Sequence, residues 1–133
     1  MLSFDHCKRE IEEVHALIEG WFTGTVSEDS LARVENAQAD RFEIVAPTGE
    51  RLGREEVNDG LREAYGTEND DYQIHIKNVE LISQMGEYAI VNYEEWRHST
   101  DDSTGLNCTG LFRDDSGTPS GVAWMFLHET EIT

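Results

Sequence analysis

Apolar residues enter the chain on a helical beat. Phe4, Cys7, Ile11, Val14, Ile18 and Trp21 follow one another at spacings of three and four, and Leu17 and Phe22 widen the stripe. Lys8, Arg9, Glu10, Glu12, Glu13 and Glu19 fill the positions between them, which predicts an amphipathic helix closed by Gly24. A shorter helix follows, with Ser27 or Ser30 as its N-cap and Leu31, Val34 and Ala37 on its buried side. A strand is predicted over 42–46, and Ala46-Pro47-Thr48-Gly49 has the proline and glycine that a type I turn favours. The chain returns through Arg51 and Leu52, and a third helix over 54–65 sets Val57, Leu61, Ala64 and Tyr65 on one face before Gly66.

From residue 72 the beat changes to two. Tyr72, Ile74 and Ile76 alternate with Gln73, His75 and Lys77, after which the apolar set switches parity to Val79 and Leu81, so a bulge is expected near Asn78. Met85-Gly86 forms a tight connection to a strand over 87–98 that is partly apolar on both faces: Tyr88, Ile90 and Trp96 on one, Ala89, Val91 and Tyr93 on the other. Further strands are expected over 106–113 and 122–131, separated by polar and glycine-rich loops. Helices thus come first and an antiparallel meander last, an α+β arrangement within a single domain over 1–133. Strands apolar on both faces need a cover on each side. The helices cover one side, and a second copy of the chain, packed sheet to sheet, is expected on the other.

Charge changes the picture next. The chain carries 28 acidic against 10 basic residues, a formal net charge of −18, and only Lys8 and Lys77 are lysines. The carboxylates are scattered from Asp5 to Glu131 rather than gathered in a tail, so the acidity belongs to the whole surface. Such a field opposes compaction in dilute salt and is screened at molar salt, where the Debye length is roughly 3 Å. The chain therefore reads as adapted to a very salty cytoplasm. Phosphate attraction needs a basic footprint, and its lack argues against nucleic acid as a partner. No stretch approaches the apolar length that spans a bilayer, and the N-terminal residues lack a secretory pattern, so a cytoplasmic location without membrane association is expected. Cys7 and Cys108 are too few and too far apart for a disulfide framework and read as buried reduced thiols.

The element order resembles the NTF2-like α+β cone, a superfamily that includes SnoaL-like and ketosteroid-isomerase-like proteins. The segments Phe42-Glu43-Ile44-Val45-Ala46-Pro47-Thr48-Gly49, Tyr93-Glu94-Glu95-Trp96, Gly110-Leu111-Phe112-Arg113 and Gly121-Val122-Ala123-Trp124-Met125-Phe126-Leu127-His128-Glu129-Thr130 resemble small NTF2-like proteins of the DUF4440 kind. The resemblance implies three helices packed in a curved antiparallel sheet, with a pocket between its concave face and the helices.

Candidate residues follow from that placement. Trp124, Phe126 and His128 share one strand parity, which would set an aromatic wall beside an imidazole; Tyr93 and Glu95 share another. Glu94 and Glu95 point to opposite faces, so only one of them reaches the pocket. His15 lies at the margin of the first helix's apolar stripe, and Trp21 near its end. Asp40, just before the first strand, sits where the resemblance places an acid. Two functions are open on this reading. One is a ligand-binding domain whose pocket, lined by Trp21, Tyr93, Trp124, Phe126 and His15, holds a small organic molecule. The other is a cofactor-independent lyase, isomerase or hydrolase that moves protons with His128, Glu95 and Asp40. Metal binding is not expected, because His75 and His98 lack ligand spacing and His128-Glu129-Thr130-Glu131 is no zinc-protease helix.

Overall fold

Ser3 starts the first helix by accepting the His6 N–H on its hydroxyl at 3.1 Å. The computed structural model describes residues 2–133, and α1 spans Phe4–Thr23. It ends where Gly24 turns left-handed at φ 72°, and a Cβ there would meet the Gly66 backbone at 3.3 Å. Glycine is required at that close approach of two backbones. A short 3₁₀ turn, Glu28–Ser30, leads into α2 (Leu31–Glu35), which buries Leu31 and Val34. The next elements are β1 (Gln38–Val45), β2 (Arg51–Gly53) and α3 (Arg54–Glu63). Four long strands complete the chain: β3 (Gln73–Met85), β4 (Tyr88–His98), β5 (Ser103–Asp114) and β6 (Val122–Ile132).

The six strands form one sheet in the order β2-β1-β6-β5-β4-β3. The expected meander is present from β3 to β6, all antiparallel. The β1–β6 pair is parallel, which pattern alone did not reveal. Pairing the first strand with the last carries β2 and α3 to the far edge of the concave face. The layout is the α+β cone anticipated from the element order.

Bulges decide which side chains look inward. Asn78 takes φ 53°, and the β3–β4 register slips between Lys77 and Glu80. That is the expected kink. A second slip carries more consequence. Across β5 and β6, Leu111 faces Phe126 while Phe112 faces Trp124, so Met125 is an extra residue that reverses parity along β6. Trp124 points inward before it, and Leu127 and Glu129 point inward after it.

The stripe of α1 fills the concavity. Cys7, Ile11 and Val14 pack with Ala89, Val91 and Tyr93 of β4, Cys108 and Phe112 of β5, and Trp124 and Leu127 of β6 in one buried cluster. Each fully buried side chain of this size contributes roughly 1.5–3 kcal/mol of transfer free energy. Both cysteines are buried and free. Among the described residues no helix is long and apolar enough to cross a membrane.

Candidate binding site inside the cone

A cavity of about 160 Å³ lies between α1, α2, α3 and the concave strands. Its walls are mostly aliphatic and aromatic, with Ile18, Phe22, Phe42, Trp124 and Leu127 prominent. Its polar lining is confined to His15, Gln38, Glu95, Arg97 and Glu129. The strand period explains the set: Glu95 and Arg97 are alternate residues of β4, so both point inward, while Glu94 faces out and accepts from Asn78 and Trp96.

Most of this lining is already paired. His15 Nδ1 lies 2.7 Å from the Ile11 carbonyl and Nε2 lies 3.0 Å from Glu95 Oε1. Both ring nitrogens face acceptors, so the imidazole donates from both and is an imidazolium. Arg97 Nε donates to the other oxygen, Glu95 Oε2, at 2.6 Å. Burial penalises the charge on Glu95, but His15 and Arg97 outweigh it and hold the carboxyl down at about 2. Burial likewise works against the charged His15, and Glu95 reverses that, raising its pKa. Gln38 and Asn58 exchange amide hydrogen bonds of 3.0 and 2.7 Å, which consumes their inward capacity.

A second buried carboxylate fixes the aromatic wall. Glu10, 1% exposed, accepts from the Trp124 indole at 2.9 Å and from both terminal nitrogens of Arg33 at 3.2 and 2.5 Å. This joins α1, α2 and β6 at one point and holds the Trp124 ring against Phe112, with centroids 4.7 Å apart.

Glu129 is different. It makes no hydrogen bond or ion pair among the described residues, and burial, reinforced by the nearby Glu95 charge, pushes its pKa up to about 7. Arg97 and His15 pull it down only in part. Glu95, Cys108 and Glu129 place ligand atoms within 4.8 Å of one another. The set suits a metal poorly, because both Glu95 oxygens are taken and burial pushes the Cys108 thiol far up. The Tyr93 hydroxyl is buried beside that thiol without a nitrogen or oxygen partner.

The model of one protein family, Sucrose-6-phosphate phosphohydrolase C-terminal, matches residues 7–133. The chain belongs to this family. No curated protein matches the chain. Among solved structures, an NTF-2 like protein of unknown function from Pseudomonas aeruginosa superposes with a TM-score of 0.88 at 23% identity, covering 96% of this chain and 99% of that one. The CaMKII hub of S. rosetta gives 0.70 at 14% identity, with 94% and 95% covered. A putative ketosteroid isomerase from Parabacteroides distasonis gives 0.61 at 14% identity, with 90% and 86% covered. These likenesses establish the NTF2-like fold of this phosphohydrolase C-terminal family member.

Within this family member, the structure brings together His15, Glu95 and Trp124 of the residues singled out by sequence. Four others fall elsewhere, and Tyr93 lies just behind the site. His128 is exposed on the outer face of β6, and Phe126 faces the same way, because Met125 shifts the parity that would have turned them inward. Asp40 is exposed on β1. Trp21 is buried outside the cavity, donating to the Leu61 carbonyl at 2.6 Å and packing on Tyr65. Tyr93, fully buried, supports His15 edge to face at 5.6 Å from behind rather than lining the cavity.

Sequence reasoning did not single out Glu10, Arg97 and Glu129 as site residues. Arg97 is legible by strand period, two residues from Glu95 on the same face. Glu10 carries no such signal, because it sits among exposed acids of α1. Glu129 is hidden by the unbroken apolar run from Val122 to Leu127, which offers no parity to read.

Proposed function

We propose that this chain is a ligand-binding domain whose cone cavity holds a small organic molecule. One observation carries the reading: in an otherwise apolar cavity the polar groups are paired to one another, leaving only Glu129 and the outer N–H groups of Arg97 to meet a guest. A committed His15–Glu95–Arg97 cluster is a rigid wall. The matching family is named for the C-terminal part of a phosphohydrolase, and a ligand-holding role is compatible with that name. A panel of small amphiphilic fragments, followed by NMR shifts of the three indole N–H groups, tests the proposal. Fragments that move the Trp124 signal, and cease to do so in Ile44→Trp, which fills the cavity, support it. A panel that moves only Trp96, on the outer face, refutes it.

A second reading, an acid–base enzyme, has a specific support of its own. Glu129, with a pKa raised to about 7 beside open space, has the protonation equilibrium of a general acid or base near neutral pH. His15 does not share that role, since both of its nitrogens are bound.

We also propose that two copies pair through the outer sheet face. The register sets Ile90, Leu111 and Phe126 side by side on neighbouring strands, all half-buried. The CaMKII hub and a putative calcium/calmodulin-dependent kinase II association domain among the structural neighbours fit self-association. Sedimentation of Phe126→Glu as a monomer beside a dimeric parent would support the pairing, and two identical species would refute it. The scattered charge of −18 fits a salt-adapted cytoplasmic protein, in which the two buried free thiols stay reduced. Melting temperature should then rise between dilute and molar KCl; a flat or falling series refutes the salt reading.

A further inference from the structure

Arg97 and Glu129 both line the polar end of the cavity from the same sheet face, without touching. They feel each other's charge, yet no ion pair joins them. Arg97 spends Nε on Glu95 and has the Tyr72 hydroxyl beside it, which leaves most of its N–H donors unspent. Its guanidinium stacks over Phe22 at 5.6 Å, and its side chain is 37% exposed, so it reaches the cavity mouth. Glu129 projects from β6, two strands along the same concave face, with no hydrogen-bond partner among the described residues.

Charge counting narrows the guest. The groups facing Glu129 are Glu95 and Arg97 from β4, His15 from α1 and the neutral Cys108 thiol from β5. His15 is an imidazolium and Arg97 is a cation, and Glu95 balances one of them. When Glu129 carries its proton, one positive charge is left over in a cavity walled by hydrocarbon. A guest bearing a single negative charge and an apolar body cancels it.

We infer that the cavity is built for a small amphiphilic monocarboxylic acid, its carboxylate gripped between the free N–H groups of Arg97 and the carboxyl of Glu129, its hydrocarbon against Phe42, Trp124 and Leu127. This rests on the cavity being a ligand site, as proposed above. Arginine offers a carboxylate two parallel hydrogen bonds, and protonated Glu129 supplies one more. Below pH 7 that proton is already on Glu129; above pH 7 binding takes up one proton from solvent, which ends shared between Glu129 and the guest carboxylate. No bond other than hydrogen bonds is made or broken.

Calorimetric titration of the full chain with hexanoate, hexanamide and hexanol tests the inference. One pH unit below 7, where free Glu129 already carries its proton, hexanoate should bind at least about tenfold tighter than hexanamide or hexanol, with little proton uptake as read from buffers of different ionisation heat. Above pH 7 its affinity should fall about tenfold per unit, with close to one proton taken up on binding. Glu129→Gln, which keeps a donor but cannot titrate, should still bind hexanoate and lose the pH slope. Hexanamide or hexanol binding as tightly as hexanoate, or a hexanoate affinity indifferent to pH in the parent, overturns the inference and leaves the ligand site standing. No binding of any of the three, with the Trp124 signal unmoved, overturns both.

Discussion

The two inner strands that carry the cavity's acids treat them in opposite ways. On β4, Glu95 is clamped by His15 from α1 and Arg97 from its own strand, and both of its oxygens are used. On β6, Glu129 is only half-buried but has no partner among the described residues, and its pKa moves up to about 7 rather than down. Burial pushes both carboxyls upward, and Glu95 is the more deeply buried of the two. The difference is whether a cation is in hydrogen-bonding contact, and it separates a wall that holds the cone together from a group left free for a guest.

Breaking the clamp should have the largest effect. Arg97→Ala leaves a buried carboxylate with one partner, and stability read by urea unfolding should drop by about 3–5 kcal/mol. The pH profile should report the same event. The native pKa of Glu95 lies below its usual 4.5, so its stabilisation is present above 4.5 and is lost as pH falls towards about 2. Arg97→Ala should move that acid limb upward. A parent and variant with superimposable acid limbs would show that Glu95 is held by other means.

The second carboxylate clamp is smaller in reach. Glu10→Ala strands the Trp124 indole and Arg33, with an expected cost of about 1–3 kcal/mol and a shift in Trp124 fluorescence. An unchanged emission spectrum would mean the ring is fixed by packing alone.

Glu129 should behave in the reverse sense. Its native pKa is raised, so whatever stability it contributes is present below 4.5 and is lost as pH rises through about 7. Glu129→Gln should therefore leave stability at pH 5 unaltered and increase it by roughly 1 kcal/mol above pH 8. A loss above pH 8 would reveal a partner for the ionised carboxylate. The smallest effect belongs to His128→Ala: an exposed side chain on the outer face should change stability by less than about 0.5 kcal/mol and leave fragment binding alone.

How legible this was follows from the same contrast. The spacing of Phe4 to Trp21, the parity switch at Asn78 and the glycine at 24 each state a local rule that the structure obeys. Glu95 and His15 were legible because each sits on a clear period, two for β4 and 3.6 for α1. The parallel pairing of β1 with β6 involves residues far apart in sequence, which periodicity does not couple. On β6 the alternation fails where it mattered. Met125 lies inside a run that is apolar on both faces, so its insertion changes no hydrophobic pattern while turning His128 and Phe126 out and Glu129 in. Glu10 looked like one more surface acid because its partners, Arg33 and Trp124, come from α2 and β6.

A single titration bears most directly on this division of labour. Carboxyl ¹³C shifts of Glu95 and Glu129, followed from acid to mildly alkaline pH, should give a midpoint of about 7 for Glu129 and none for Glu95 until far below 4.5. Two midpoints together near 4.5 would mean that neither acid is held as described, and the case for an open carboxyl in a closed wall would fall.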